Sequence, residues 1–150
     1  MLFRDRFDAG RRLGSRLLEF ANRKDVLVLA LPRGGVPVGY EVARTLNAPL
    51  DAFVVRKLGV PGQEELAMGA IASGGVRVVN GGVVRALHIS REQMEEVAAR
   101  EAVELERRER LYRGDARPAD VQGKTVILVD DGLLIAFFIF HKSDVNIFFN

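Results

Sequence analysis

Apolar residues recur along this chain with two periods, and the alternation between them predicts its elements. Asp8 to Asn22 places Ala9, Leu13, Leu17 and Phe20–Ala21 on one face of a helix. Val26 to Leu31 is an unbroken apolar run of the kind found in a parallel strand buried on both faces. Pro32-Arg33-Gly34-Gly35 ends it, and Val36 to Leu46 reads as the next helix, with Pro37 tolerated in the first turn. Ala52 to Val55 is a second strand, ending at Arg56-Lys57, and Leu58 to Leu66 reads as a loop. Met68–Ala72 and Val76–Val79 flank Ser73-Gly74-Gly75 as a hairpin, and Asn80-Gly81-Gly82 is a further turn signal. Ser90 and Gln93 have the spacing of a capping box at the head of a long helix. Met94, Ala98, Ala102, Leu105 and Tyr112 mark its apolar face, and Glu96–Arg100, Glu104–Arg108 and Glu106–Arg110 pair its polar one. Gly114 to Gly123 links it to a buried strand at Thr125–Val129. Strand–helix–strand alternation of this kind predicts an α/β fold around a parallel sheet.

The last sixteen residues have a different composition. Ile135 to Asn150 holds five of the nine phenylalanines, three isoleucines and two asparagines, with no glycine, proline or arginine. Phenylalanine, isoleucine, asparagine and lysine have AT-rich codons, whereas the preceding chain is rich in residues with GC-rich ones. The segment reads as a divergent hydrophobic tail, from a frameshift or insertion junction, or else as an ordinary hydrophobic terminus.

Composition narrows the class. The chain has 150 residues, 48% of them apolar and 28% charged, as in a soluble globular protein of one domain. Twenty-two basic and 20 acidic residues leave a net charge of +2, which gives no argument for nucleic acid or an anionic membrane. With no cysteine, disulfides, thiolate catalysis and Cys-ligated zinc are excluded. His88 and His141 are too isolated for a metal cluster. The charged N-terminus is not a secretory signal, and Leu133 to Phe140 is far shorter than the roughly 20 residues of a membrane span. A cytoplasmic location is the expectation.

Candidate chemistry lies at the ends of three predicted parallel strands, where open α/β sheets bind ligands. Leu31-Pro32-Arg33-Gly34-Gly35 offers a sharp turn whose N–H groups, with a helix behind them, can form an anion nest, and Arg33 adds a planar cationic fork. Arg56-Lys57 is a basic pair, and because adjacent strand residues face opposite ways, at most one reaches a site unless the strand ends there. Val126-Ile127-Leu128-Val129-Asp130-Asp131-Gly132 is a buried strand followed by two carboxylates. Their mutual repulsion would be relieved by sugar hydroxyls or by a cation. An apolar strand ending in two acids also resembles a Walker B strand. However, Gly123-Lys124-Thr125 lacks the earlier glycine and precedes a strand instead of following one, which rejects a P-loop. His88 reads as a surface residue, Ser90 as a helix cap, and the Glu/Arg-rich helix as a solvated face.

Together these segments resemble the type I phosphoribosyltransferases, and among them small bacterial predicted phosphoribosyltransferases. The likeness is carried by Phe3-Arg4-Asp5-Arg6, Leu31 to Val36, Val54 to Gly59, Pro61-Gly62, Glu65 to Ala70 and Val126 to Leu133. It implies a Rossmann-like parallel sheet with a hairpin hood, spanning residues 1–134 as an incomplete domain with its C-terminal part missing, followed by the tail at 135–150. It implies a pyrophosphate loop at Arg33, Gly34 and Gly35, often entered through a cis peptide before Arg33. Arg56 and Lys57 match the basic pair near the pyrophosphate, and Leu58–Gly75 the mobile loop and hairpin over the site. Asp130 and Asp131 match the acids that hold the ribose hydroxyls and are the catalytic candidates the resemblance implies, with Gly132 in the ribose and phosphate segment.

The activity implied is transfer of ribose 5-phosphate from 5-phosphoribosyl 1-pyrophosphate (PRPP) to a nitrogen nucleophile, with release of pyrophosphate. Magnesium would arrive with PRPP, without direct protein ligands. The other readings are a non-catalytic PRPP- or nucleotide-binding or regulatory module and an inactive truncated fragment. After Asp-Asp-Gly and an aliphatic residue the family continues with Ala-Thr-Gly-x-Ser or -Thr, whose turn binds the 5-phosphate; here Leu134-Ile135-Ala136-Phe137-Phe138 stands instead. An uncovered strand beside a phenylalanine-rich tail predicts poor solubility or association into a homo-oligomer.

Overall fold

The computed structural model describes residues 3–132, 136–141 and 144–149, the last two segments by their backbone alone. The chain divides into two compact units, residues 1–53 with 119–150, and residues 54–118.

The first unit is built on a five-stranded sheet of order β2-β1-β6-β7-β8. Its centre is β1 (Val26–Ala30) and β6 (Thr125–Val129), parallel and in register from Val26↔Thr125 to Ala30↔Val129. β2 (Leu50–Ala52) lies parallel on the other side of β1. The two central strands read as continuous apolar runs because both of their faces are covered. Val26, Val28, Ile127 and Val129 pack with Val38, Val42 and Leu46 of α2 (Gly35–Leu46) and Leu13 of α1 (Arg6–Arg16). Leu27, Leu29 and Val126 face the opposite way, with Phe53, Ala119 and Leu128. A short 3₁₀ turn at Leu18–Phe20 follows α1, so the helix ends earlier than its apolar periodicity predicts.

β7 (Ala136–His141) pairs antiparallel with β6, and β8 (Asp144–Phe149) pairs with β7. The expectation of an uncovered strand beside a divergent tail is corrected: the free edge of β6 is taken by a hairpin formed from that tail. The turn residues Leu133–Ile135, on which part of the expected departure from the phosphate-binding turn falls, lie outside the described residues.

The second unit is an antiparallel sheet, β3 (Val55–Val60), β4 (Gln63–Ala72) and β5 (Val76–Val79), with α3 (Gly81–Ala86) and α4 (Arg91–Arg113). The strand predicted at Ala52–Val55 is two elements in different sheets, β2 and β3, with Phe53 and Val54 between them. The loop predicted at Leu58–Leu66 is mostly strand, turning at Pro61-Gly62. The cause is the hairpin itself: β3 and β4 satisfy each other's backbone groups, so Gly59 is accommodated at a register shift. Leu58, Val60, Met68 and Ile71 pack against Met94, Val97 and Ala98 of α4. The capping box at Ser90 and Gln93 forms with both of its hydrogen bonds. Beyond Ala98 the helix keeps Leu105 against this core and Glu101 on Arg56, and carries its own ion pairs, Glu104 with Arg107 and Arg108, Glu106 with Arg110, and Glu109 with Arg113.

In the first unit α1 lies unusually close to α2. A Cβ on Gly10 would come within 2.7 Å of Glu41 Cβ and of the Val38 carbonyl oxygen. Asp8 and Glu41 are buried on these facing helices. Arg11 reaches both, while Arg4 and Arg12 flank Asp8 and Arg44 flanks Glu41. Asp8 also completes the helix start: its N–H donates to Asp5 Oδ1 (2.7 Å), and its Oδ2 accepts the Arg4 N–H (3.1 Å). That amide hydrogen bond, helped by Arg12, Arg4 and Arg11, holds the Asp8 carboxyl below its ordinary value of 3.8 against the opposing effect of burial.

Gly10→Ala should lower the urea midpoint. Overpacking costs about 1–3 kcal/mol, while helix propensity returns about 1 kcal/mol at most. A raised midpoint would mean that α1 steps back from α2 freely. Asp8 gives a pH signature. Its folded-state value is depressed, so its contribution is fully present above the unfolded value and is lost as pH falls through the folded one. Asp8→Asn should therefore lower stability at pH 7 and flatten the loss of stability on acidification below about pH 4. A urea midpoint with the same acid limb as wild type would remove Asp8 from that role.

Candidate functional site

The in-register pairing of β1 with β6 fixes the site. Ala30 and Val129 are partners, so the segments that follow them leave the same end of the sheet side by side. One is Leu31-Pro32-Arg33-Gly34-Gly35 and the other is Asp130-Asp131-Gly132. The Leu31 N–H donates to the Val129 carbonyl (2.9 Å), extending the ladder one step beyond the strands. This is the carboxyl edge of parallel strands, where α/β sheets place ligands.

The glycines of the first segment are required by this approach. A Cβ on Gly34 would fall inside the Asp131 carboxylate, on both of its oxygens. A Cβ on Gly35 would meet the Val129 carbonyl oxygen at 2.7 Å. The turn therefore lies flat against the end of β6. The peptide between Pro32 and Arg33 is cis, at the position the sequence resemblance implies.

The polar groups are arranged unequally. The Gly35 and Val36 N–H groups turn inward, to the carbonyls of Leu31 (2.9 Å) and Arg33 (3.1 Å). Among the described residues, the N–H groups of Arg33 and Gly34 donate to no protein acceptor. The anion nest expected from both glycines is thus narrower than expected, because the first turn of α2 uses the Gly35 amide. Arg33 is exposed and makes no ion pair among the described residues. Asp130 is half-buried, and its Oδ1 accepts the N–H of Asp131 (2.8 Å). Asp131 Oδ2 accepts from Arg6 Nε (2.7 Å), a pairing that the sequence reading does not anticipate. Its only signal there is Arg6's place in the Phe3-Arg4-Asp5-Arg6 segment.

Arg56 and Lys57 belong to the second unit. They lie within the antiparallel strand β3, so their expected place at the end of a parallel strand is corrected. Arg56 is committed to Glu101 of α4, through Nε (2.8 Å) and Nη2 (2.7 Å). Lys57 is exposed, and its Nζ donates to the Glu65 carbonyl across the hairpin (3.0 Å). The two point to opposite faces, as strand geometry requires.

Among the described residues no three His, Cys, Asp or Glu side chains gather as a metal cage. No helix among them is long and apolar enough to cross a membrane.

Comparison with known proteins places this geometry in a family. A profile described as "Phosphoribosyl transferase domain" matches residues 3–134. Two Mycobacterium tuberculosis proteins, from strains CDC 1551 and H37Rv, are named "Putative phosphoribosyl transferase". Each is 51% identical over 132 residues, which is 88% of this chain and 30% of the relative. The chain thus spans about a third of the length of these curated relatives. The crystal structure of TT1426 from Thermus thermophilus is similar at 41% identity and a TM-score of 0.72, covering 86% of this chain and 61% of that one. The matched span covers β1, β6 and the segments that follow them, and the chain belongs to the phosphoribosyl transferase domain family.

Proposed function

We propose that the first unit carries a PRPP site and that the protein transfers ribose 5-phosphate from PRPP to a nitrogen nucleophile, releasing pyrophosphate. The observation that carries this reading is the contact of the Gly34 turn with Asp131. An anion-directed turn and a diol-directed carboxylate, far apart in sequence, meet at the carboxyl edge of one sheet.

Each residue then has a role set by its chemistry. The Arg33 guanidinium and the Arg33 and Gly34 amides bind pyrophosphate oxygens, as a planar cation and convergent N–H groups do. Asp130 and Asp131 accept hydrogen bonds from the ribose 2- and 3-hydroxyls, with Gly132 keeping the turn beside them free of a side chain. Displacement at ribose C1 builds positive charge on the sugar and negative charge on the leaving pyrophosphate. The carboxylates suit the first and Arg33 the second.

Two adjacent carboxylates provide hard oxygen donors suited to Mg²⁺, which typically keeps waters and substrate phosphate oxygens as its other ligands. When bound, magnesium supplies charge neutralisation at the pyrophosphate. Its route into the site would be with the ligand, held at most through Asp130 or Asp131.

A thermal unfolding scan with magnesium and PRPP tests the site. Ligand at about 100 times its Kd should stabilise the native state by about 2.7 kcal/mol and raise Tm. Asp130→Asn with Asp131→Asn should lose that rise while keeping a cooperative transition. A wild-type Tm that does not move would sink the reading. Release of pyrophosphate from PRPP that depends on an added nucleobase would support transfer, whereas binding without release would favour a nucleotide-sensing module.

The Gly34 turn gives a separate expectation. Gly34→Val should abolish the ligand-induced rise in Tm, because its side chain would take the space of the Asp131 carboxylate. A full rise in that variant would mean that the close approach is unrelated to binding.

A further inference from the structure

We infer that Arg6 is the positioning residue for Asp131: it fixes the carboxylate over the Gly34 turn and offsets its charge there, so that the turn can accept an anion beside it. The inference rests on the proposed PRPP site and adds a residue to it.

The geometry is specific. Arg6 opens α1, immediately after the N-cap Asp5, and its Nε donates to Asp131 Oδ2 at 2.7 Å across 125 residues of sequence. The same carboxylate is pressed onto Gly34 from the other side. Its orientation is thus bounded by a guanidinium and by a backbone with no side chain. A carboxylate offers about four lone-pair directions. Arg6 occupies one of them and leaves Oδ1 for a hydroxyl.

The pair is poorly explained as a support for the fold. The Arg6 side chain is 60% exposed and that of Asp131 28% exposed. Ion pairs so open to water contribute little to stability. Close packing already fastens α1 to α2 at Gly10, and the buried Asp8 and Glu41 with their arginines add to it. What the Arg6 pair does supply is local charge. Without it, a bare carboxylate would stand beside the amides and the Arg33 fork that are to receive pyrophosphate, and like charges at contact distance oppose binding. With it, the carboxylate keeps its acceptor oxygens and its net charge is offset.

A double-mutant cycle on the full chain separates this role from a structural one. Arg6→Gln, Asp131→Asn and the double variant would be titrated calorimetrically with PRPP in the presence of magnesium. Arg6→Gln should weaken binding about tenfold, the low end for a charge-assisted hydrogen bond. The double variant should bind no more weakly than Asp131→Asn alone, because Arg6 acts through Asp131. Arg6→Lys should recover part of the loss through its charge, without the guanidinium's geometry. The ligand-free Tm of Arg6→Gln should stay within about 2 °C of wild type, as expected for an exposed pair. Unchanged affinity in Arg6→Gln, or losses that multiply in the double variant, would overturn the role of Arg6 while leaving the site standing. A wild-type chain that binds no PRPP would overturn the site and this inference with it.

Discussion

The structure of the first unit depends on one interaction, the parallel ladder between β1 and β6. The two strands lie far apart in sequence, yet they meet in register along their whole length. Hydrophobic burial provides the drive. Val26, Val28, Ile127 and Val129 are covered by α2, and Leu27, Leu29 and Val126 by residues of the other face. Burying a side chain of this kind is worth about 1.5–3 kcal/mol, which favours this neighbour pairing over the looser alternatives. The geometry of the candidate site follows from it. Once Ala30 and Val129 are partners, the Gly34 turn and the Asp131 carboxylate must share one small volume, and only glycine fits there.

The helices α1 and α2 form a second layer of constraint. Gly10 lets them approach, and the approach buries Asp8 and Glu41, two carboxylates that burial alone would disfavour. Arginines on both helices make that burial tolerable. The arrangement fixes the start of α1, and the start of α1 carries Arg6. A packing requirement on the flank of the sheet is thereby connected to the orientation of a carboxylate at its edge. The link runs through rigid contacts: Gly10 against α2, Asp8 at the start of the helix, and Arg6 on Asp131.

The second unit is stabilised differently. Its sheet is antiparallel and its core is confined to one face, where Leu58, Val60, Met68 and Ile71 meet the first turns of α4. Past Ala98 that apolar support thins to Leu105, and alternating glutamates and arginines run along the helix. Glu104 shows the effect most clearly: hydrogen bonds from Arg107 and Arg108 hold its carboxyl at about 2. Arg56 belongs to this same pattern of charge, since Glu101 engages it within the unit.

The chain's sequence alone determined whatever depends on near neighbours. The buried strands at Val26 and Val126, the capping box at Ser90, the turn at Ser73-Gly74-Gly75 and the helix after Gly35 were all readable from periodicity and cap chemistry, because a few adjacent residues decide them. So were the residues of the turn and of the acidic pair, because strand ends announce themselves by the loss of apolar character. The tertiary structure decided whatever depends on which segments become partners. It split the strand expected at Ala52–Val55 between two sheets, since β2 finds β1 while Val55 finds Ala72. It placed Arg56 and Lys57 inside a hairpin, and joined the phenylalanine-rich tail to the free edge of β6. It also brought Arg6 to Asp131. An arginine at the head of a helix looks like any solvated charge in the sequence, and only the folding of α1 onto the sheet gives it a carboxylate to hold.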